Sequence, residues 1–162
     1  RLNLETGLHT RQVIAFDATG DDLKDIVYCN LTSNGQGWQR DPQTRLLVQQ
    51  ENGQFDDVTG PRMPGNNFST YACTHMDADH DGDQDLILST IEMFGWSSMK
   101  VHAYENNGSG HFTDVTHEVI PDVTTGRNWG TDVGDLNGDG IDDILIGGFG
   151  TQARLLFGRD GR

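Results

Sequence analysis

The sequence predicts an all-β protein, on the evidence of its composition, an internal repeat and short apolar segments separated by turns. Of the 162 residues, 20 are Asp, only 5 are Glu, and 21 are Gly. Asp and Gly favour turns, whereas Glu is the better helix former, so this composition disfavours helix bundles. Asp also supplies compact oxygen ligands for cations. We therefore expect strands, turns and bound cations.

The charge and the hydropathy pattern exclude several classes of function. A net charge of -14 and a pI near 4.5 leave no basic surface for nucleic acid or for an anionic membrane. No apolar run approaches the roughly 18 residues that a membrane-spanning helix needs. The chain begins at Arg1 without a signal-peptide pattern. We expect a soluble domain that is a mature or excised piece, without membrane insertion or nucleic-acid binding.

A repeat of about 60 residues organises the chain. Three 13-residue segments align without gaps, and their first aspartates, Asp17, Asp77 and Asp135, lie 60 and 58 residues apart. A second shared element follows at residues 45–59 and 101–116, and its third copy, 154–162, is shorter. A period of this length is typical of a repeated supersecondary unit, so the chain is predicted to contain three copies of one unit.

Each copy is predicted to contribute up to four antiparallel strands. Strands of the first kind precede an Asp-rich loop, and strands of the second kind are apolar, β-branched and follow it. The third and fourth strands flank an Asn-Gly turn signal at Asn52-Gly53 or Asn107-Gly108. Four such strands per repeat predict a β-propeller blade. The predicted strands are 12–16, 71–76 and 129–133; then 26–29, 86–89 and 144–146; then 46–50 and 101–105; then 55–59 and 112–116.

The repeats predict a single propeller segment over residues 1–162. Its repeats are expected at about 8–60, 68–117 and 126–162, with residues 1–7 as a leftover fourth strand and the last repeat lacking its own. Propellers have four to eight blades, so three cannot close a ring. We expect the remaining blades to belong to a longer chain. The alternative is a second copy of this chain, giving six blades.

The Asp-rich loops have the spacing of a calcium site. The pattern D-x-[D/N]-x-D-G-x-x-D places oxygens at positions 1, 3, 5 and 9, with a carbonyl at position 7, which suits Ca²⁺. Position 12 is apolar or aromatic where an EF-hand requires Glu, so an EF-hand is excluded. Metal-free turns are the alternative, which three copies in register disfavour. The predicted ligands are Asp17, Thr19, Asp21, Leu23 and Asp25 in loop one (17–25); Asp77, Asp79, Asp81, Asp83 and Asp85 in loop two (77–85); and Asp135, Asn137, Asp139, Ile141 and Asp143 in loop three (135–143).

Position six separates the three loops. It is Gly82 and Gly140 in the later loops but Asp22 in the first, and the turn is expected to need a positive φ there, which Gly adopts without strain. We predict that calcium affinity falls from loop two to loop three to loop one. Two or three ions would then bind per chain.

Together these motifs resemble the FG-GAP/VCBS repeat family, found in integrin α-chain heads and many secreted bacterial proteins. The resemblance rests on the loop, the apolar strand after it, and the tail Asn-Gly-x-Phe-x-Asp-Val-Thr. It implies a β-propeller whose Ca²⁺ lies between the first and second strands of a blade. Thr19 and Asp22 depart from the pattern only in loop one. The family includes adhesion proteins, lectins and polysaccharide-degrading enzymes, so it implies no single activity.

Strand alternation places the longer connections at the end of the blades opposite the Asp-rich loops. The tryptophans Trp38, Trp96 and Trp129 fall on these connections, with Arg40 and Arg62 nearby. Aromatic and cationic side chains on loops of a rigid scaffold suit a glycan or protein ligand. The alternative is that these aromatics pack between blades.

No motif for catalysis is evident. The chain lacks Gly-x-Ser-x-Gly and His-Glu-x-x-His, and no catalytic residue is assigned. His75 and Asp132 on first strands are candidates for acid–base chemistry, although solvated channel residues are the commoner case. We predict a calcium-stabilised binding or adhesion module in an extracellular, periplasmic or cell-surface setting. The alternative is the propeller portion of a secreted carbohydrate-active enzyme that resembles a polysaccharide lyase.

The two cysteines, Cys29 and Cys73, lie in strand-like segments. They could pair in an oxidising compartment, but buried cysteines in such a context are more often free thiols. The pattern therefore favours two buried free thiols.

Overall fold

A computed structural model describes residues 9–31, 44–65, 68–91, 99–121, 128–148 and 152–159. These residues form three antiparallel sheets, which confirms the all-β prediction and agrees with propeller blades. Among the described residues, no helix is long and apolar enough to cross a membrane. The strands are β1 (His9–Phe16), β2 (Asp25–Leu31), β3 (Arg45–Gln49) and β4 (Phe55–Asp57); β5 (Ser69–Met76), β6 (Asp85–Ile91), β7 (Met99–Asn106) and β8 (Phe112–Asp114); and β9 (Asn128–Gly134), β10 (Asp143–Gly148) and β11 (Arg154–Leu156).

Neighbouring strands in the chain pair with each other in every sheet. The first sheet has the order β1-β2-β3-β4, the second β5-β6-β7-β8, and the third β9-β10-β11. The first strands of the first two sheets begin earlier than predicted because they pair with the second strands over more residues. In the first sheet, for example, His9 pairs with Leu31. The fourth strands end earlier than predicted, and the short helices α1 (Thr59–Arg62) and α2 (Thr116–Val119) follow them.

The recurring Asp-Val-Thr tail explains where the fourth strand ends. The carboxylate of Asp57 accepts a hydrogen bond from the Thr59 N–H at 3.0 Å, which turns the chain into α1. The Thr59 hydroxyl oxygen accepts the Leu46 N–H of β3 at 2.9 Å. A buried backbone donor is thereby satisfied by a side chain where the strand pairing stops. The second sheet repeats both bonds with Asp114, Thr116 and Ala103.

The sheets pack face to face around two apolar cores. Alternate residues of β6 serve the two cores: Leu86 and Leu88 join the first, between the first and second sheets, and Ile87 joins the second, between the second and third. This alternation follows from the two-residue period of a strand. The first core also contains Phe16, Val27, Leu46 and Tyr104, and the second contains Val101, Ala103, Ile144 and Ile146.

The expectation of free thiols is wrong. Cys29 on β2 and Cys73 on β5 form a disulfide between the first and second sheets, with their Cα atoms 6.4 Å apart. Both residues are fully buried. The strand pattern correctly indicates that each side chain points into a core, but it carries no information about which residues of two different sheets lie opposite each other.

Several sequence predictions fall on residues outside the described part of the chain. The leftover strand at 1–7 and the candidate ligand residues Trp38, Arg40 and Trp96 all lie there. The backbone of Trp129 lies in β9, but its side chain is not described.

Candidate metal centre

Each Asp-rich loop joins the first strand of a sheet to the second. Position six has a positive φ in all three loops, at 67° for Asp22, 96° for Gly82 and 87° for Gly140, as expected from the sequence. The loops therefore share one backbone path, although their residues at this position differ.

Position four also adopts a positive φ, which the sequence reasoning missed. Gly20 and Gly138 occupy this position in loops one and three, and His80 occupies it in loop two with a φ of 64°. A side chain at positive φ is strained. Loop three therefore has glycine at both special positions, whereas loops one and two each hold one non-glycine residue there.

Loop two brings three carboxylates together. Oxygens of Asp77, Asp79 and Asp85 all lie within 4.8 Å of one another, and this is the one such group of acidic, His or Cys side chains among the described residues. One carboxylate oxygen of Asp77, Oδ2, accepts the Gly82 N–H at 3.1 Å. The other, Oδ1, is buried and has no hydrogen-bond partner. A buried oxygen without a donor is costly, and a cation at this place would satisfy it.

The last ligand of loop two is held rigidly from two sides. Asp85 is 2% exposed, and its carboxylate oxygens accept the Ala78 N–H and the Asn106 N–H, both at 2.8 Å. Burial raises the pKa of Asp85 to about 6 against the lowering effect of these two donors, and the charges of Asp79 and Asp81 raise it further. A bound cation would remove this electrostatic penalty.

Of the two remaining predicted ligands of loop two, Asp81 is not in this group of side chains, and Asp83 is predicted to bind through its backbone carbonyl. The Asp81 carboxylate accepts the Asp83 N–H at 2.9 Å, which shapes the second half of the loop. Desolvation and the charges of Asp81, Asp77 and Asp79 raise the pKa of Asp83. Negative charge thus accumulates throughout this loop.

Loop one satisfies its first aspartate with its own backbone. Asp17 Oδ1 accepts the Gly20 N–H at 2.7 Å, with further donors from Thr19 and Asp21, and Oδ2 accepts the Asp22 N–H at 2.7 Å. Burial opposes ionisation of Asp17, but these four donors lower its pKa overall. Loop one therefore closes on itself more completely than loop two.

The rest of loop one surrounds a buried carboxylate. Asp25 accepts the Ala18 N–H at 2.9 Å and lies 3.4 Å from the hydroxyl of Thr19, while burial raises its pKa. Asp21 accepts the Leu23 N–H at 2.9 Å. The Thr19 hydroxyl therefore points toward the Asp25 carboxylate, which is the predicted ligand at position nine.

Loop three resembles loop one in this respect. Asp135 accepts the N–H groups of Gly140 at 2.9 Å and Gly138 at 2.6 Å, and these bonds lower its pKa. The amide of Asn137 donates to Asp139 at 2.8 Å. The first aspartate and the ligands at positions three and five are therefore already bonded within the loop. Asp139 and Asp143 also accept the N–H groups of Ile141 and Leu136.

A further position contributes to each site and was missed from the sequence. The N–H of Gln49 donates to Asp25, that of Asn106 to Asp85, and that of Gly158 to Asp143. These three residues occupy the same register, with Gln49 and Asn106 as the last residues of β3 and β7 and Gly158 just after β11, and their side chains have nothing in common. The repeat spacing was the only available signal, because the bond comes from the backbone.

The candidate acid–base residue His75 is engaged in packing. Its ring stacks on Phe16 with the centroids 4.7 Å apart, and Nδ1 lies 2.6 Å from the side-chain oxygen of Gln84. Asp132 accepts the N–H of Val133. His75 therefore packs between β1 and the residues beside loop two, and the Asp132 carboxylate bonds to the backbone of its neighbour.

Comparison with known families supports the resemblance seen in the motifs. Residues 90–146 match the model of the FG-GAP-like repeat. This span runs from the end of β6 through the third and fourth strands of the second sheet to β10, and it includes loop three. The chain thus contains an FG-GAP-like repeat and is a β-propeller-like repeat module. A search of curated proteins gave no match.

Proposed function

We propose that this chain is a calcium-binding propeller module whose ions stabilise a scaffold for binding or adhesion. The observation that supports it best is the buried, partnerless Oδ1 of Asp77 beside the carboxylates of Asp79 and Asp85. Closely spaced hard oxygens are the donors that Ca²⁺ prefers. Loops three and one share the spacing, but their first aspartates are satisfied by backbone donors, so they bind more weakly than loop two.

The bound ion acts as a structural clamp. Each loop connects two strands that form part of a core, and without a cation its carboxylates repel one another. A ligand that binds only the folded state stabilises it by RT ln(1 + [L]/Kd), which is about 2.7 kcal/mol at a hundredfold excess over Kd. Calcium therefore links the stability of the sheets to the occupancy of the loops.

We place the module outside the cytosol, at the cell surface, in the periplasm or in the extracellular space. The disulfide between Cys29 and Cys73 supports this, because structural disulfides persist mainly in oxidising compartments. Those compartments also supply the calcium that such exposed loops need.

The ligand face is proposed at the end opposite the Asp-rich loops, where the longer connections carry Trp38, Arg40 and Trp96 and where Trp129 lies near the start of β9. Its ligand would be a glycan or a protein. Arg62 does not belong to this face, since its guanidinium donates to the Ser109 carbonyl at 3.1 Å, in the hairpin beside loop one.

The third sheet offers a surface for a further blade. Leu145, Leu155 and Phe157 are 39%, 38% and 55% exposed there, whereas the second sheet has a core on each of its faces. The partner would be a blade of a longer chain or a second copy of this one. Mass in solution with and without Ca²⁺ distinguishes these two.

Thermal unfolding tests the calcium proposal directly. We expect saturating Ca²⁺ to raise the Tm relative to a chelator, and Asp77→Asn to lose most of that increase because it removes a charge from the convergent group. Asp56→Asn, an exposed aspartate on β4, is the matched control and should keep the increase. An identical Tm in Ca²⁺ and in chelator would contradict the proposal.

A glycan array tests the ligand face. We expect stoichiometric binding of a glycan without release of product. Trp38→Ala or Trp96→Ala should weaken that binding. Cleavage of a polyanionic polysaccharide would instead favour the enzymatic alternative.

A further inference from the structure

The hairpin between β7 and β8 (residues 106–112) lies between loop one and loop two. At its start, Asn106 bonds to both loops, through its backbone on one side and its side chain on the other. We propose that Asn106 couples the two loops, so that a cation in loop two strengthens cation binding in loop one. This inference rests on the proposed calcium binding.

Three hydrogen bonds connect the last carboxylate of loop two to the last carboxylate of loop one. Asp85 accepts the Asn106 N–H at 2.8 Å, and the Asn106 side-chain amide donates to the Ala18 carbonyl at 2.9 Å. The Ala18 N–H then donates to Asp25 at 2.9 Å. All four residues are at most 2% exposed, so water does not compete for these bonds.

The side chain of Asn106 has one available orientation. Its amide also donates to the Gln84 carbonyl at 3.2 Å, and its Oδ1 accepts the Gly110 N–H at 3.1 Å. Rotating the amide would leave several buried polar groups unpaired, which is costly. A shift of the Asn106 backbone is therefore transmitted to Ala18.

The hairpin also touches both loops sterically. A Cβ at Gly108 would clash with the carboxylate of Asp83 in loop two, and a Cβ at Gly110 would lie 3.1 Å from the methyl group of Thr19 in loop one. The space between the loops is therefore filled by hairpin backbone. The close approach of Gly110 also gives a packing reason for Thr19, at a position where the other loops have Asp79 and Asn137.

The second and third loops lack this connection. Gly158 occupies the register of Asn106, and its N–H donates to Asp143 at 3.0 Å in the same way. Glycine has no side chain that could reach the carbonyl of Ala78, the counterpart of Ala18. The chain thus contains an internal control, in which the backbone bond is kept and the side-chain bond is missing.

The expected direction of the effect follows from these bonds. A cation that immobilises the Asp85 carboxylate also fixes the Asn106 N–H, and through Ala18 it orients Asp25 for loop one. Coupling between sites is reciprocal, so filling loop one strengthens loop two by the same factor. We expect about a fivefold change in affinity, at the lower end of typical coupling.

Calcium titration with residue-specific NMR measures each loop separately. The amides of Asp22, Gly82 and Gly140 each donate to the first aspartate of their own loop, so they report on loops one, two and three. Disabling loop two with Asp77→Asn should raise the loop-one midpoint about fivefold. The loop-three midpoint should change less than twofold, because Gly158 provides no link.

The decisive comparison repeats the Asp77→Asn change in an Asn106→Ala background. There the loop-one midpoint should be the same, within twofold, whether loop two is intact or disabled. Asn106→Leu, which has a similar size but no donor for the Ala18 carbonyl, should behave likewise and serves if the alanine variant folds poorly. Gln49→Ala, at the matching register of the first sheet, should retain the fivefold ratio. A purely structural role for Asn106 would alter the midpoints but leave that ratio unchanged, which would overturn the coupling.

If the calcium midpoint of loop one lies above the concentrations that the titration can reach, hydrogen exchange tests the coupling instead. Filling loop two should then still slow exchange of the Ala18 amide, and Asn106→Ala should abolish the slowing. Unchanged exchange would overturn the coupling while a response at Gly82 upholds calcium binding. No response at any of the three reporter amides would overturn the calcium proposal, and the coupling with it.

Discussion

The first and second sheets are joined differently from the second and third, although the same repeat builds both interfaces. The first interface has a disulfide between Cys29 and Cys73, a bond from the Cys73 N–H to the side chain of Gln12 at 3.0 Å, and the link through Asn106. At the second, the described residues form apolar contacts around Ile87 and Ile144. The second interface leaves a pocket of about 500 Å³ beside loop two.

The two interfaces therefore differ in how precisely they fix the position of one sheet relative to the next. Apolar burial is non-directional, so it holds two sheets together without fixing their register to a fraction of an ångström. Hydrogen bonds and a disulfide specify distances and directions. The first interface can therefore relate loop one to loop two, whereas loop three is expected to act independently.

Core truncations should show the largest difference between the interfaces. Leu88→Ala in the first core is expected to lower the free energy of unfolding by about 4 kcal/mol, because the site is fully buried and leaves a new cavity. Ile144→Ala should lower it by only about 2 kcal/mol, since it borders an existing pocket. Urea unfolding in excess Ca²⁺ measures both. Equal losses would contradict the looser packing of the second interface.

Removal of the disulfide should weaken the first interface next. The bonded residues are separated by 44 positions, and replacing both Cys29 and Cys73 by Ala should cost about 3 kcal/mol. Hydrogen exchange should then show easier opening of β2 and β5, while protection of β10 changes less. Treating the wild-type protein with a reductant is the matching control, and the prediction fails if the double variant retains full stability.

The Thr residues that end the fourth strands provide a smaller comparison. Thr59→Val and Thr116→Val each leave a buried backbone N–H without its acceptor, on Leu46 and Ala103 respectively. We expect a loss of about 2 kcal/mol at Thr59 and about 1 kcal/mol at the less buried Thr116. Each loss should be unchanged when Ca²⁺ is replaced by chelator, since neither residue lies in an Asp-rich loop. A calcium-dependent loss would show that the tail also supports the metal sites.

Backbone strain in the loops should give the smallest effects. Asp22→Gly and His80→Gly replace side chains at positive φ, and each should stabilise the protein by about 0.5 kcal/mol. The NMR titration should also show tighter calcium binding in loop one for Asp22→Gly. Gly140→Ala in loop three is the converse and should destabilise. A weaker loop one after Asp22→Gly would contradict the strain argument.

Much of the local structure could be predicted because it depends on residues close in the chain. The 60-residue spacing locates the strands and the three loops, and the positive φ at Asp22, Gly82 and Gly140 follows from turn chemistry alone. The short helices that begin at Thr59 and Thr116 were missed, because the sequence of the tail is that of a continuing strand, and only the structure shows the Thr hydroxyl replacing a strand partner.

The repeat, the all-β class and the candidate ligands follow from the amino-acid sequence, since each is encoded within one blade. The packing of one sheet on the next was needed to show that Cys29 bonds to Cys73, that Asn106 joins two loops, and that Asp77 alone among the three first aspartates keeps a buried oxygen without a donor. Those features depend on how one sheet faces the next. Face-to-face packing brings together residues from different repeats, and the residue pattern within a single repeat does not specify those contacts.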